Sequence, residues 1–425
     1  MSEKSRNETM PLPFNPRSPE VQANPYPTYR YLQKHHPIYY RTDKKDWILT
    51  RYADIVEVLK HPNIGRKNPY LGRSEEFLAR PPKPIETNNL QAKFWLWRQQ
   101  SQKIVDAWII QQDSPDHAKL RQIIQPFFTP LRLQPWRSQI QTKVNILLDR
   151  IQERGRMDII NDLAYPLTLG AIGEMLGIPE QAWHRHFKQW SKDISLLGDI
   201  DVSAIVQERG WLAIANLADY FKNLIAQYHN SSEMPDNLIC NLMQAQAEGK
   251  LSEEEVVAHC ILLWFGGHST TQSLIGASIL TLLHHPQQLQ MLQTDSSLIA
   301  MTIAEVLRYS SPSQAVGRTA LLDIQIGDRI ISKGEIVRCI LGAGNRDPAQ
   351  FSNPDQFNIQ RTPNPYLSFG QGIHNCIGKH LGKLVTEIAV GTVVQRFPNL
   401  SLATDSIEWE DSFLGRGLKS LPVVF

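Results

Sequence analysis

In FGQGIHNCIG, Phe369 to Gly378, one cysteine stands among three glycines with a histidine two residues before it. A thiol in such a setting can be half of a disulfide, a zinc ligand, a nucleophile, a core side chain or the ligand of an iron. The four cysteines, Cys240, Cys260, Cys339 and Cys376, are scattered, with no CxxC and no zinc spacing. That pattern points to a reducing compartment rather than a disulfide framework. In SPDHAKLRQIIQPFFTP, His117 and Arg121 are four apart. Two such donors on one helix face suit a carboxylate or a phosphate. Ser114 or Asp116 is expected to cap that helix and Pro115 to open it. In AEVLRYSSP, Glu305 and Arg308 are three apart among apolar residues. A buried pair there costs desolvation and calls for a structural role.

A fourth stretch, LSEEEVVAHCILLWFGGHSTTQSLIGASILTLLHHP, predicts a helix from the capping box Ser252 and Glu255 to about Leu283, before His284, His285 and Pro286. Its apolar residues cover all sides, so it reads as central and buried. Gly266 and Gly267 interrupt it, each costing about 1 kcal/mol relative to alanine. The hydroxyl of Thr270 can return to the Gly266 carbonyl. These features are expected to loosen the helix and let something approach its backbone. A helix crossing that needs small residues explains the glycines equally well.

The elements around these stretches are mostly helical. YPTYRYLQKHH and ADIVEVLKHP read as helices flanking the short strands PIYYR and DWILT. Residues 62–115 mix Pro and Gly with aromatics, including Phe94, Trp95, Trp97 and Trp108. From Asp116 to about Leu292 the apolar spacing is helical. Short β-like pieces fill Leu321 to Ile340, and a helix from Lys379 to Arg396 follows the cysteine loop. The fold class is mainly α with small β-sheets. Residues 1–10 read as a disordered tail and 11–425 as one domain. With 425 residues and a net charge of +2, the chain shows no overall pull towards nucleic acid or membrane. Its polar start has no signal-peptide core, and no apolar run is uninterrupted enough for a membrane span. The expectation is a soluble, cytoplasmic protein.

Taken together, these stretches resemble the cytochrome P450 family in its soluble bacterial form. FGQGIHNCIG is similar to that family's haem-binding loop, with Phe369, Gly370, Gly372, His374, Cys376 and Gly378 in register. Glu305 and Arg308 resemble its ExxR pair, GGHSTT its oxygen-binding helix segment, and SPDHAKLR the helix reaching over the haem. ANPYPTYRYL, WILTRYADIVEVL, NRDP and RGLKSLPVVF are also similar. The resemblance covers nearly the whole chain. It implies the P450 fold, a triangular helical prism around haem b (iron protoporphyrin IX).

The resemblance makes Cys376 the thiolate ligand of the iron, with backbone N–H groups and the start of the following helix tempering the sulfur. Cys240, Cys260 and Cys339 remain core residues. His117, Arg121, Arg318 and His374 are implied to bind the propionates, and Glu305 and Arg308 to be structural. The arginine the family carries in its PxRF segment is here Gln356, in Pro354 to Phe357, and Arg361 is the candidate replacement.

The implied activity is a monooxygenase, with O₂ activated at the haem and one oxygen atom entering a C–H or C=C bond of an apolar small molecule in secondary metabolism. Gly266, Ser269 and Thr270 are the catalytic candidates. Thr270 matches the alcohol that supports oxygen and its proton. The residue before it is normally Asp or Glu; Ser269 is no acid near neutral pH. Another proton source, hydrogen peroxide as oxidant, or oxidative C–C or C–O coupling would each account for that departure. A haem protein that binds ligand without turnover is the rival from another class. Phe265, Gly266, Ala315, Val316, Phe413 and Leu414 are implied to line the pocket. Residues 62–115 and the helices near 180–230, with Trp183, Trp190 and Trp211, are implied to form its access. The expected partners are a soluble ferredoxin or flavodoxin with its reductase, docking near Lys379 and Lys383 on a monomeric enzyme.

Overall fold

The computed structural model describes residues 14–66, 90–180, 185–199, 202–231 and 234–425. The expected N-terminal tail, residues 67–89 of the aromatic-rich stretch, and Trp183 lie outside these, as do the side chains of Phe94 and Trp95.

A central helix, Glu253–Leu283, has 31 residues and spans roughly 45 Å. Ser252 Oγ accepts from the Glu255 N–H at 3.1 Å, and Glu255 Oε2 accepts from the Ser252 N–H at 2.7 Å. Three glutamates in its first turn favour the positive end of the helix dipole. Helices Tyr165–Leu176, Arg185–Leu197, Ala204–His229, Ile299–Tyr309 and Lys379–Arg396 pack around it. The last of these begins and ends where the sequence pattern places it.

The expected loosening at Gly266 is absent. Helical structure continues unbroken through residues 266–270, although Thr270 Oγ1 does point back to the Gly266 carbonyl at 3.5 Å. The two glycines divide the two expected roles. A β-carbon on Gly267 would stand 2.6 Å from Ile172 Cγ1, so this glycine permits a helix crossing. A β-carbon on Gly266 would meet nothing within 4 Å.

Among the described residues, ten short strands form three sheets. β1 (Ile38–Arg41), β2 (Asp46–Leu49), β3 (Ile64–Gly65), β5 (Val316–Ala320) and β8 (Ile336–Cys339) make the largest, in the order β1-β2-β8-β5-β3. Only the β2–β8 pair is parallel within it. β4 (Arg156–Asp158), β10 (Pro422–Val424) and β9 (Ser401–Leu402) form a second, and β6 (Ile324–Ile326) with β7 (Arg329–Ile331) a hairpin. β5 begins before the β-like pieces predicted from Leu321. Its Val-Gly-Arg-Thr-Ala sequence has no clean alternation, and pairing on both edges decides it. Cys240, Cys260 and Cys339 are buried, as expected of core thiols.

Candidate active site

The cysteine loop is shaped by its own backbone. Gly370 and Gly372 have φ of 67° and 73°, a region that favours glycine. Gly372 also lies so close to the Leu59 carbonyl oxygen that a β-carbon would collide with it. The Cys376 N–H donates to the Phe369 carbonyl at 2.9 Å, and Asn375 Nδ2 donates to the Gly370 carbonyl at 2.9 Å. Cys376 keeps an exposed face, whereas the other three cysteines have none. Dense protein on its remaining sides pushes its pKa up. The N–H of Gly378, the charges of Arg121 and Lys379, and the Lys379 N–H pull the other way. Gly378 caps the helix Lys379–Arg396. The sulfur therefore meets the first free N–H groups of that helix.

Beside the loop lies a cationic cluster. His117, on the helix Asp116–Ile124, packs edge-on against His374 with ring centres 4.4 Å apart. Pro115 is the cap residue of that helix and neither Ser114 nor Asp116 caps it, a correction to the expected start. Arg121 Nη1 donates to the carbonyls of Ile373 at 2.8 Å and Asn375 at 2.9 Å, bracing the cysteine loop. Arg318 is buried on β5, and burial lowers its pKa. Burial, then Arg318, His117, Arg66 and Arg121, push the His374 pKa down to about 2. Its Nε2 is buried with no hydrogen-bond partner.

Two further members, Arg66 and Asp113, carry no signal in the sequence around them. Arg66 donates from its backbone to Asp113 Oδ1 at 2.9 Å and from Nη1 to the Gly317 carbonyl at 2.6 Å. Burial and Arg318 push its pKa down to about 9, against the pull of Asp113. Arg66, Arg318, His117 and His374 thus crowd around the Asp113 carboxylate, with Arg121 on the neighbouring turn of the same helix as His117. Such a set favours further negative charge, and two carboxylates would relieve it.

On the central helix, Gly266 and Thr270 are exposed one turn apart, while residues 256–264 and 274–282 on either side of them are buried. Thr271, next in line, meets the helix after the cysteine: a β-carbon on Gly382 would stand 3.4 Å from its Oγ1. An open strip of helix thus lies on the side of the molecule that carries Cys376. A thiol with two N–H donors, a cationic cluster and a glycine-lined helix face together fit a flat, dianionic, metal-bearing group.

The family model described as Cytochrome P450 matches residues 206–419. The Biotin biosynthesis cytochrome P450 of Bacillus subtilis (strain 168) is 35% identical over 418 residues, covering 98% of this chain and 100% of that one. The chain belongs to the cytochrome P450 family. Among solved structures, P450BioI in complex with hexadec-9Z-enoic acid ligated acyl carrier protein is 34% identical with a TM-score of 0.85, covering 96% of this chain and 100% of that one. The myxobacterial CYP267B1 in complex with myristic acid is 32% identical with a TM-score of 0.83, covering 96% and 98%. The fold is thus the P450 fold and the protein an oxidoreductase. Among its described residues, no helix is long and apolar enough to cross a membrane.

The P450 ExxR pair is fully buried: Arg308 Nε and Nη2 each donate to Glu305 at 2.8 Å. Arg308 also donates to the carbonyls of Asn345, Pro354 and Gln356. Arg361 Nε, the candidate replacement for the arginine absent at Gln356, donates to Glu305 Oε1 at 3.1 Å. Of the pocket candidates, Ala315 and Phe413 are packed into a core cluster with Phe14, Tyr29 and Ile340. Phe265, Gly266, Val316 and Leu414 keep free surface. Phe265 leans on Trp108, with ring centres 5.2 Å apart. Trp211, expected at the access, is buried in the core.

Proposed function

We propose that this P450 is a haem-thiolate monooxygenase, hydroxylating or epoxidising an apolar small molecule with O₂ and electrons from a soluble ferredoxin or flavodoxin. Residues 11–425 act as one domain in the cytoplasm. The observation that carries this reading is the exposed Cys376 thiol, with the N–H groups of Gly378 and Lys379 on its sulfur and the cationic cluster beside it. Cys376 would ligate the iron of haem b as a thiolate, with Phe369, Gly370 and Gly378 shaping its loop. His117, Arg121, Arg318 and His374, with Arg66, would hold the propionates. When bound, the haem supplies O₂ activation, helped by electron density from the thiolate.

The chain's own residues do the rest. Gly266 leaves room on the helix. Thr270 Oγ1 holds a proton at the open face, and Ser269 Oγ, donating to the Phe265 carbonyl at 3.4 Å, holds one a position away. Phe265, Val316 and Leu414 exclude water and orient an apolar substrate. A second reading, peroxide-driven oxidation or oxidative coupling, is favoured by the absence of an acid at position 269.

Fatty acyl compounds are the first class to test. P450BioI and CYP267B1 were crystallised with such chains, one of them tethered to a carrier protein. The experiment is an absorption titration of the purified ferric protein with myristic acid, terpenes, steroids and cyclic dipeptides, followed by product analysis with NADPH and a surrogate ferredoxin system. A low-spin to high-spin shift and an oxygenated product are expected for one class. Haem binding without NADPH-driven product from any shifting compound would overturn the reading.

A further inference from the structure

The C-terminal turn brings a carboxylate to the serine face of the central helix. Trp409 bridges Leu418 in antiparallel fashion, and the Glu410 N–H donates to the Gly417 carbonyl at 2.8 Å. Glu410 and Gly417 therefore lie side by side. A β-carbon on Gly417 would stand 2.6 Å from Ser273 Oγ and 3.8 Å from Glu410 Cγ. The glycine lets the turn that carries Glu410 come up against Ser273. Ser273 is one turn beyond Ser269 on the same face, and its Oγ donates to the Ser269 carbonyl at 3.0 Å. On its outer side Glu410 Oε2 accepts from Lys192 Nζ at 2.6 Å, a pair with side chains 32% and 46% exposed. Glu410 Oε1 has no hydrogen-bond partner among the described residues. Along this line Glu410, Ser273 and Ser269 are half-buried, between exposed Lys192 at one end and exposed Thr270 at the other.

We propose that Glu410 is the acid that position 269 lacks. Its carboxyl gives a proton through water to the Ser273 and Ser269 hydroxyls and on to Thr270 Oγ1. The carboxylate regains a proton from solvent at its exposed edge, so no other reactant is consumed. Lys192 keeps its charge and holds the carboxylate against the turn. Serines relay protons but do not supply them, and a positioned carboxyl does. The step from Glu410 to Ser273 requires a bridging water. The inference rests on the monooxygenase reading.

The test compares parent, Glu410→Gln, and Glu410→Gln with Ser269→Asp, in NADPH-driven turnover of myristic acid. Product per NADPH is expected to fall about tenfold in Glu410→Gln. That is less than the ~10²- to 10⁴-fold of losing a general acid outright, because solvent still reaches Ser273. Peroxide release and the solvent isotope effect should rise together. Ser269→Asp should restore product, and turnover driven by added hydrogen peroxide, which brings its own protons, should be unchanged. A structural role for Glu410 predicts none of that rescue. A second arm needs no turnover. The infrared carboxylate band of Glu410, read as parent minus Glu410→Gln, should shift when Ser273→Ala is introduced. Unaltered coupling in Glu410→Gln, or an unmoved band, would overturn the proposal. If the parent itself leaves myristic acid unoxidised, the failure counts against that substrate, and the infrared arm decides on Glu410.

Discussion

Single residues at this site are governed by what burial does to charge. His268, between Trp264 and Thr270, is fully enclosed, and burial pushes its pKa down to about 4. Its Nδ1 faces the Trp264 carbonyl at 3.0 Å, and its ring neighbours are Trp264 and Tyr165. The imidazole is therefore neutral in the folded chain, and a proton is taken up only with difficulty. An unfolded histidine has a pKa near 6.5, so the unfolded chain binds the proton first as pH falls. The stability contributed by neutral His268 is complete above about pH 6.5 and is lost progressively down to about pH 4. By pH 5 the loss from this one group is about 2 kcal/mol. Urea titrations of the parent and of His268→Leu between pH 7 and pH 4.5 check this. The variant's stability should fall less steeply by that amount, and parallel pH profiles would contradict the assignment. Cys376 illustrates the same balance in the other direction. Enclosure raises its pKa while helix N–H groups and Arg121 oppose the rise, so a cation on the sulfur would complete what those donors begin.

At the scale of elements, the ExxR pair ties the helix Ile299–Tyr309 to the loops that lead into the cysteine. Glu305 also accepts from the Asn358 N–H and from Asn364 Nδ2, both at 3.1 Å. Arg361 adds a charge-assisted bond to that carboxylate and donates to the carbonyls of Ser352 at 2.8 Å and Asn353 at 3.2 Å. Arg361→Ala removes a charge-assisted donor from the buried Glu305 carboxylate, together with bonds to two exposed carbonyls, and should cost about 2–3 kcal/mol. Adding Gln356→Arg should recover part of that loss if the two positions serve one purpose. Thermal melting of both variants gives the answer, and an unchanged midpoint in Arg361→Ala would show that the exchange is not energetic. Arg361 was legible in sequence as a candidate partner of the pair because Gln356 breaks a recognisable segment and an arginine follows nearby. The central helix and the helix after the cysteine were legible because caps, periodicity and a terminating Pro or Phe act locally. Arg66, Asp113 and Glu410 were not. They reach the site through strand pairing and a C-terminal turn, and their neighbours in sequence carry no motif. The burial of Ala315 and Phe413 was hidden for the same reason, since apolar residues suit a pocket and a core equally well.

For the whole molecule, a net charge of +2 gives no general attraction to a redox protein. Any steering must come from a local patch on the cysteine side. The helix Lys379–Arg396 supplies one. Lys379 and Lys383 are one turn apart on it, and their charges are felt by their neighbours, since both lower the pKa of His380 after burial has done so. Lys379 also acts on Cys376 itself, so the patch adjoins the sulfur. An acidic ferredoxin or flavodoxin docked there would have a short electron path to a metal held by that thiolate. Opposite charges across such an interface raise the association rate, and salt screens them over about 8–10 Å. Reversing both lysines to glutamate should therefore slow reduction by an acidic carrier about tenfold at low salt. The parent and variant rates should converge as salt rises, because the close contacts that orient the carrier are untouched. Stopped-flow reduction across a salt series reads both features. Equal rates at every salt concentration would move the docking surface elsewhere. A deficit that persists undiminished at high salt would mean that the lysines act through direct contacts rather than by long-range attraction.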